Sequence, residues 1–482
     1  MREGATLGTV AARTEGRLLG DPQTWISHVT HDSRATRAGG LFVAIRGLER
    51  DGHDFVPDAI ERGAAAICVE EQQSSDIPQV VVEEGRVALA RAAAAVYRDP
   101  SHEIRVVGIT GTNGKTTVTH LLESIASHAG RRSGLIGTLG ARIADRQIDT
   151  DRTTPEADDA QRLLRAMVSE DLELVAMEVS SHALALRRTD EIRFALACFT
   201  NFSQDHLDFH GNTNSYFLAK ESLFRSAGLR AAVIWTGDAG GRRLAARVTV
   251  PTLRVNRHGD ADVWPSDMEM GLDGSQFLVH LPDGKVEVSL PMVGDFNIDN
   301  ALLAAACAHL VGFTPDEIVE GIGSVSPVPG RFALVSGDHP VAVFVDYAHT
   351  PDGIQTVLAT AQALTERRVL VVFGAGGDRD RSKRRRMGEV AALGDIVIVT
   401  SDNPRSEAPE EIAAEVAAGV SDIGGDPHVV LDRRLAIREA IALAQPGDVV
   451  LILGKGHEQT QEIGGRLIPF DDVAVAREEL GS

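Results

Sequence analysis

The chain has 482 residues, 43% of them hydrophobic and 24% charged, with a formal net charge of −21 at pH 7. Three domains of roughly 150 residues each are the expectation for that length, and the acidic balance argues against a nucleic-acid-binding surface and against anionic membranes. No run approaches the ~18 apolar residues of a membrane span, and residues 1–20 lack the apolar core of a signal peptide.

Along the chain, residues 1–98 carry short strands, Leu41 to Ile45 and Ala66 to Val69, among alanine-rich helical runs. A polar break at 98–102 leads into a β-rich run, Ile104 to Val107. Gly108-Ile-Thr-Gly111-Thr112-Asn113-Gly114-Lys115-Thr116-Thr117 follows, then a helical pattern from Val118 to Ala129. A glycine-rich turn between strand and helix aims several N–H groups and the positive end of the helix dipole at one point. A lysine completes a cradle for polyphosphate, and Thr116 is placed to hold Mg²⁺. The usual P-loop has a glycine where this chain has Ile109, which marks a subfamily; the bland alternative is a glycine-rich turn with a surface lysine.

Leu174 to Met177 and Leu196 to Phe199 read as buried parallel strands. Glu178 ends the first and is placed as a Mg²⁺ ligand, since magnesium takes few protein carboxylates. After the second comes Asp205-His206-Leu-Asp208-Phe-His210, a metal or phosphate site when set beside Glu178 and a solvated loop when read alone. Lys220 lies on a helix expected over 215–226. Spacing alone makes it a surface lysine, and a cationic lysine repels Mg²⁺. Leu272-Asp-Gly-Ser275 and Pro282-Asp-Gly284 signal hairpins, and a helix is expected from Ile298 to Leu310. Cys68, Cys198 and Cys307 read as buried thiols of a reducing cytoplasm, not as disulfides or a zinc site.

From Arg331 onward the strands are Val341 to Val345, Val369 to Phe373, Ile396 to Val399 and Val449 to Leu453, with helical patterns such as 408–420 between them. This is a doubly wound α/β domain with function at the carboxyl ends of its strands. Three polar loops follow three strands there: 374–381 with Arg379, 401–405 with Asp402, Asn403, Pro404 and Arg405, and 454–458 with Gly454 and Glu458. Arg379 and Arg405 suit carboxylates, while Asp402 and Glu458 suit an ammonium group, a combination that fits an amino acid; solvated loops of mixed charge are the alternative. The basic run 383–386 reads as a solvated helix start.

Together, Gly111 to Thr117, Met177 to His182, Asp205 to Asp208, Asp346 to His349, Asp402 to Arg405 and Gly454 to Glu458 resemble, in order, the motifs of the Mur ligases of bacterial cell-wall synthesis. The likeness covers essentially the whole chain and is strongest to the branch that adds the third amino acid to UDP-N-acetylmuramoyl-L-alanyl-D-glutamate. It implies a cytoplasmic, monomeric, ATP-dependent enzyme of peptidoglycan synthesis, serving cell division and cell shape, with three α/β domains. These are a smaller N-terminal UDP-substrate domain (1–98), a central P-loop-type ATPase domain with a mostly parallel sheet (99–330), and a C-terminal, doubly wound Rossmann-like domain for the incoming amino acid (331–482).

By the same resemblance Ser33, Thr153, Thr154, Ser180, Arg188 and Lys220 meet the UDP substrate. Gly111 to Thr117, Asn297, Arg331 and Asp346 meet ATP. Thr116, Glu178, His206 and Lys220 bind Mg²⁺, with Lys220 carbamylated to N6-carboxylysine, which turns its charge negative. Lys115, Glu178, His206 and Lys220 form the catalytic set. Arg379, Asp402, Asn403, Pro404, Arg405, Gly454 and Glu458 meet meso-2,6-diaminopimelate, whose second carboxylate matches Arg405; lysine has none and leaves the guanidinium unmatched. Departures from the family pattern fall at Thr460, at Leu186 and in the uridine-side loop 47–52, where contacts stay open. The rivals are a lysine-adding or folylpolyglutamate-type sister ligase, and a non-catalytic ATP-binding regulator, which would be expected to have lost Lys115, Glu178, His206 or Lys220.

Overall fold

Residues 4–47 and 50–481 are described by the structure, a computed structural model. Leu48 and Glu49 of the uridine-side loop lie outside the described residues. The N-terminal sheet contains β1 (Arg17–Leu19), β2 (His28–Thr30), β3 (Gly40–Val43), β4 (Ala66–Val69) and β5 (Gln79–Val81), in the order β1-β5-β4-β3-β2. All its pairs are parallel except β1 with β5. The apolar runs of β3 and β4 are buried throughout because parallel strands are covered on both faces. One such cover is helix α1 (Gly85–Val96). The polar break is no open linker: Pro100–His102 forms a 3-10 turn with Pro100 and Ser101 buried.

The central sheet has eight strands: β6 (Arg105–Thr110), β7 (Ser133–Gly137), β8 (Gly140–Ile143), β9 (Arg146–Ile148), β10 (Leu174–Glu178), β11 (Phe194–Phe199), β12 (Ala231–Trp235) and β13 (Thr252–Val255). Their order is β9-β8-β7-β10-β6-β11-β12-β13, antiparallel at the β9-β8-β7 edge and parallel across the rest. Successive side chains of β6 enter opposite cores, Val106 one and Val107 the other, so a strand with no polar alternation is stable here. Helix α2 (Lys115–His128) follows the P-loop, α3 (Ala157–Ser169) and α4 (Thr213–Glu221) lie further along, and the chain then forms a three-stranded antiparallel sheet at 264–290. Its two turns fall at the hairpin signals read from the sequence. Helix α5 (Asp295–Leu310) begins three residues before the expected start and is buried without a break from Asn300 to Ala308.

The C-terminal sheet contains β14 (Ala333–Leu334), β15 (Ala342–Asp346), β16 (Val369–Phe373), β17 (Ile396–Val399), β18 (Pro427–Val429) and β19 (Val449–Leu453), ordered β14-β15-β19-β16-β17-β18. Only β14 runs antiparallel. Helices α6 (Arg384–Ala391), α7 (Arg433–Leu443) and α8 (Asp472–Leu480) pack against it, and a hairpin, β20 (Thr460–Ile463) with β21 (Arg466–Pro469), follows β19. The solvated reading of the 383–386 run fails at Arg384. Its side chain is buried and donates to Glu407 and Glu415, because α6 packs directly on the helix that carries Glu415. Cys68, Cys198 and Cys307 are free and buried. No helix among the described residues is long and apolar enough to cross a membrane.

Candidate active site

Three neighbouring strands, β10, β6 and β11, end side by side and deliver Glu178, the P-loop and the 200–210 segment to one place. Gly114 takes φ +82° at the start of α2, and a Cβ there would stand 2.3 Å from Asn300 Oδ1, so the turn closes only with glycine. Lys115 Nζ donates to the carbonyls of Gly111 (3.0 Å) and Thr112 (2.8 Å), lying along the loop it closes.

Glu178 is fully buried. It accepts from Thr116 Oγ1 (3.0 Å), Thr138 N (2.8 Å) and Thr138 Oγ1 (3.0 Å), and no Lys or Arg pairs with it among the described residues. A buried carboxylate served only by neutral donors, beside a hydroxyl, is a donor set that fits a hard divalent cation. His206 sits in the left-handed region at φ +54°, a strained setting common at functional sites. Its ring lies edge-on to His182, centroids 4.6 Å apart. Burial, assisted by His182, Lys115 and Lys220, holds the His206 pKa down to about 3, although Asp205 opposes the shift. A neutral imidazole is the form that ligates metals.

Lys220 is not the surface lysine that spacing suggests. It is 1% exposed, donates to Gly111 O at 2.7 Å and lies 4.5 Å from the Tyr216 ring centre. Burial, with Lys115 adding to it, pushes its pKa well below the ordinary value. Thr153 and Thr154 complete this floor. Thr153 Oγ1 is 3.1 Å from Thr138 Oγ1, and Thr154 Oγ1 donates to Glu178 O (2.9 Å) while receiving Ser180 N (3.0 Å). Arg188 is buried against Glu156 (2.9 Å) and reaches Thr154 O.

A cleft of about 540 Å³ opens beside the P-loop between the central and C-terminal sheets. Asn113, Gly114, Arg331 and Asp346 line it. Arg331 Nη2 donates to Thr116 Oγ1 (3.0 Å), and its guanidinium lies 4.7 Å from the Tyr347 ring centre. Asp346 accepts from Phe332 N and Ala348 N, while burial raises its pKa to about 6. Asn297 does not line the cleft: it faces into its helix, donating to Val293 O. Asn300, one turn on, lines it instead, with Arg257, Asp295 and Asp299. Asp295, Asp299 and Asn300 lie within three positions of Asn297 in the sequence, but only helix phase shows which of them face the cleft.

In the C-terminal domain two of the three polar loops interlock. Asn403 Nδ2 donates to Glu458 Oε2 (2.7 Å), and buried Lys455 Nζ reaches Glu458 Oε2 (3.1 Å), Asn403 Oδ1 (3.3 Å) and Thr460 O (2.6 Å). Gly454, at φ +112°, has Asp402 Oδ2 2.3 Å from where a Cβ would be. Arg405 donates to Gly377 O (2.7 Å) of the third loop. Arg379 is exposed on the third loop; burial, with smaller contributions from Arg188 and Arg379, lowers the pKa of His182 in the central domain. Ser33 lies apart from these groups, after β2 in the N-terminal domain. Its loop is tied to α3 by His31, whose N and Nδ1 bond Asp158. Sequence reasoning missed Lys455, Gln461 and Glu462, whose roles arise from contacts with distant loops.

Family models for the "Mur ligase middle domain" (residues 109–308), the "Mur ligase, glutamate ligase domain" (330–456) and the "Mur ligase family, catalytic domain" (25–104) match most of the chain. The chain belongs to the Mur ligase family. This Mur ligase is an ATP-dependent, ADP-forming enzyme of three-domain α/β architecture. It is 44% identical over 454 residues to the UDP-N-acetylmuramoyl-L-alanyl-D-glutamate--2,6-diaminopimelate ligase of Geobacillus thermodenitrificans, covering 92% of this chain and 93% of that protein. It is 41% identical to the ligase of the same name from Streptomyces coelicolor, over 95% of this chain and 93% of that one. A solved structure of a ligase with that name superposes with TM-score 0.69 at 31% identity, covering 99% of each chain. The MurF ligase of Thermotoga maritima in complex with ADP shares the fold at 21% identity and TM-score 0.67, over 94% of this chain and 96% of that one.

Proposed function

We propose that this ligase joins meso-2,6-diaminopimelate to the γ-carboxylate of D-glutamate in UDP-N-acetylmuramoyl-L-alanyl-D-glutamate, with conversion of ATP to ADP and phosphate, in peptidoglycan precursor synthesis. One observation carries the reading: the P-loop residues Asn113 and Gly114 line one cleft with Arg331 and Asp346 of the C-terminal domain, and that domain carries loops with Arg405 for a carboxylate and Asp402 and Glu458 for an ammonium group. The names of relatives at 41–44% identity support the same substrate. Domain boundaries near 98/99 and 330/331 are part of the proposal, with the uridine nucleotide, including its contact at Ser33, on the first domain.

In the mechanism, the γ-carboxylate attacks the γ-phosphorus of ATP, ADP leaves, and an acyl phosphate forms. The amine of diaminopimelate then attacks the acyl carbon, and phosphate departs from the tetrahedral intermediate. Lys115 and the loop N–H groups of 111–117 hold the phosphates, so the first step is positioning and charge neutralisation. Thr116, Glu178, His206 and a carbamylated Lys220 would hold Mg²⁺, which offsets the repulsion between carboxylate and phosphate. Burial favours the neutral amine of Lys220, which is the form able to add carbon dioxide. Thr153, Thr154, Ser180 and Arg188 orient the muramoyl dipeptide, and Asn113, Arg331 and Asp346 line the nucleotide cleft. Arg379, exposed on the 374–381 loop, would meet a carboxylate of the incoming amino acid. Closure of that domain keeps water from the acyl phosphate.

The test is phosphate release with ATP, Mg²⁺ and the UDP-dipeptide, comparing meso-diaminopimelate, L-lysine and no amino acid. Release only with diaminopimelate is expected, and Lys115→Ala should lower it by roughly a thousandfold or more. Equal turnover with lysine removes the specificity reading; near-normal turnover by the Lys115 variant removes the P-loop assignment.

A further inference from the structure

The β20–β21 hairpin is laid along the 402–405 loop by main-chain and amide contacts. Gln461 Nε2 donates to Asp402 O (2.7 Å), Glu462 N to Asn403 Oδ1 (2.9 Å), Arg405 N to Glu462 O (3.0 Å), and Gly464 N to Arg405 O (2.8 Å). Arg405 itself takes φ +52°, a left-handed turn that these bonds hold in place. The geometry fixes the Glu462 side chain beside the guanidinium: Oε2 stands 3.3 Å from Arg405 Nε, while Arg405 Nη1 is taken by Gly377 O. Both side chains are partly open to solvent, 24% for Arg405 and 37% for Glu462, so the pair can exchange partners without exposing a buried charge.

Resting on the diaminopimelate reading above, we propose that Glu462 is a resident counter-ion of Arg405 that sets how sharply the enzyme selects amino acids with a distal carboxylate. Before substrate arrives, Arg405 is already matched. The distal carboxylate of diaminopimelate must replace Glu462, which weakens binding of the correct substrate. Lysine, lacking that carboxylate, leaves the Arg405–Glu462 pair intact, so it avoids the penalty of an unmatched guanidinium. Glu462 therefore narrows the gap between the two substrates from both sides, because specificity is a difference of affinities. Glu458 does not substitute for it, since its Oε2 is already engaged by Asn403 and Lys455.

The experiment compares wild type, Glu462→Gln, Arg405→Ala and the double variant by phosphate release at saturating ATP and UDP-dipeptide. Glu462→Leu serves as a second charge-removing variant, and melting temperature checks that each is folded. Glu462→Gln is expected to lower the KM for meso-diaminopimelate and to raise the kcat/KM ratio of diaminopimelate over L-lysine by roughly three- to tenfold. The KM for ATP should not move, and the substitution should have no effect on the ratio in the Arg405→Ala background. A ratio unchanged by Glu462→Gln and Glu462→Leu, or the same rise without Arg405, overturns the counter-ion role. Absence of diaminopimelate turnover by the wild type overturns the substrate reading itself and the inference with it.

Discussion

Lys220 shows how burial shifts the protonation of an ordinary side chain. Its amine lies under Gly111 O and beside Tyr216 with no carboxylate paired to it among the described residues, so desolvation favours the neutral form. If that amine is carbamylated in the working enzyme, activity should rise with added bicarbonate in carbon-dioxide-depleted buffer, measured by phosphate release. Lys220→Ala should lose roughly a hundredfold or more and recover in part with a short carboxylic acid. An unmodified, bicarbonate-insensitive enzyme would rule the carbamate out. His120 on α2 is a second such residue, and its effect is on stability. Burial, with Arg142 and Arg331 nearby, lowers its pKa to about 4. The folded pKa lies below the unfolded value of about 6.5, so the unfolded chain binds the proton more readily. Its contribution is complete above pH 6.5 and is lost as pH falls towards 4, by up to about 3 kcal/mol. Melting temperature against pH should therefore drop less steeply across that window in His120→Asn than in the wild type; parallel curves would contradict the assignment.

At the scale of elements, α7 and α8 are joined by Arg433 and Asp472, both with fully buried side chains and bonded at 2.7 Å through two nitrogens. Arg433 also donates to Leu453 O (2.9 Å) and Ser401 O (3.4 Å), the residues just before Gly454 and Asp402. The pair thus anchors the strand ends that carry the 401–405 and 454–458 loops. Removing one partner strands a buried charge, so Arg433→Met should cost about 3–5 kcal/mol and lower the melting temperature, while Arg433→Met with Asp472→Leu should recover much of the loss. Chemical denaturation of the two variants checks this; equal stabilities would show that the pair is not acting as a unit. Arg433 and Asp472 are 39 residues apart, and nothing local in either segment signals the pairing. The strands themselves were legible, since Val369–Phe373 and Val449–Leu453 are apolar runs of a length suited to a strand covered on both faces.

On the scale of the whole molecule, the cleft beside the P-loop, which we propose holds the nucleotide, is lined from both the central and the C-terminal sheets. Arg331 reaches Thr116, and Lys383 lies 3.9 Å from Asp205. A ligand seated there should hold the domains together. ADP with Mg²⁺ at a hundredfold excess over its Kd is expected to stabilise the fold by about 2.7 kcal/mol. In calorimetry, Arg331→Ala should weaken ADP affinity and shrink the shift in melting temperature at a fixed ADP concentration; an undiminished shift would remove Arg331 from the nucleotide site.

The sequence by itself determined what depends on neighbours along the chain. The P-loop turn needs its glycines and its lysine at fixed spacing, Glu178 ends an apolar strand, and the motif order placed the family. Tertiary structure alone decided whatever depends on residues packed from elsewhere. It buried Lys220 and Arg384 where spacing suggested solvent, turned Asn300 rather than Asn297 towards the cleft, and set Glu462 against Arg405. Burial and charge pairing are properties of the surroundings, and chain distance hides those surroundings until the fold brings them together.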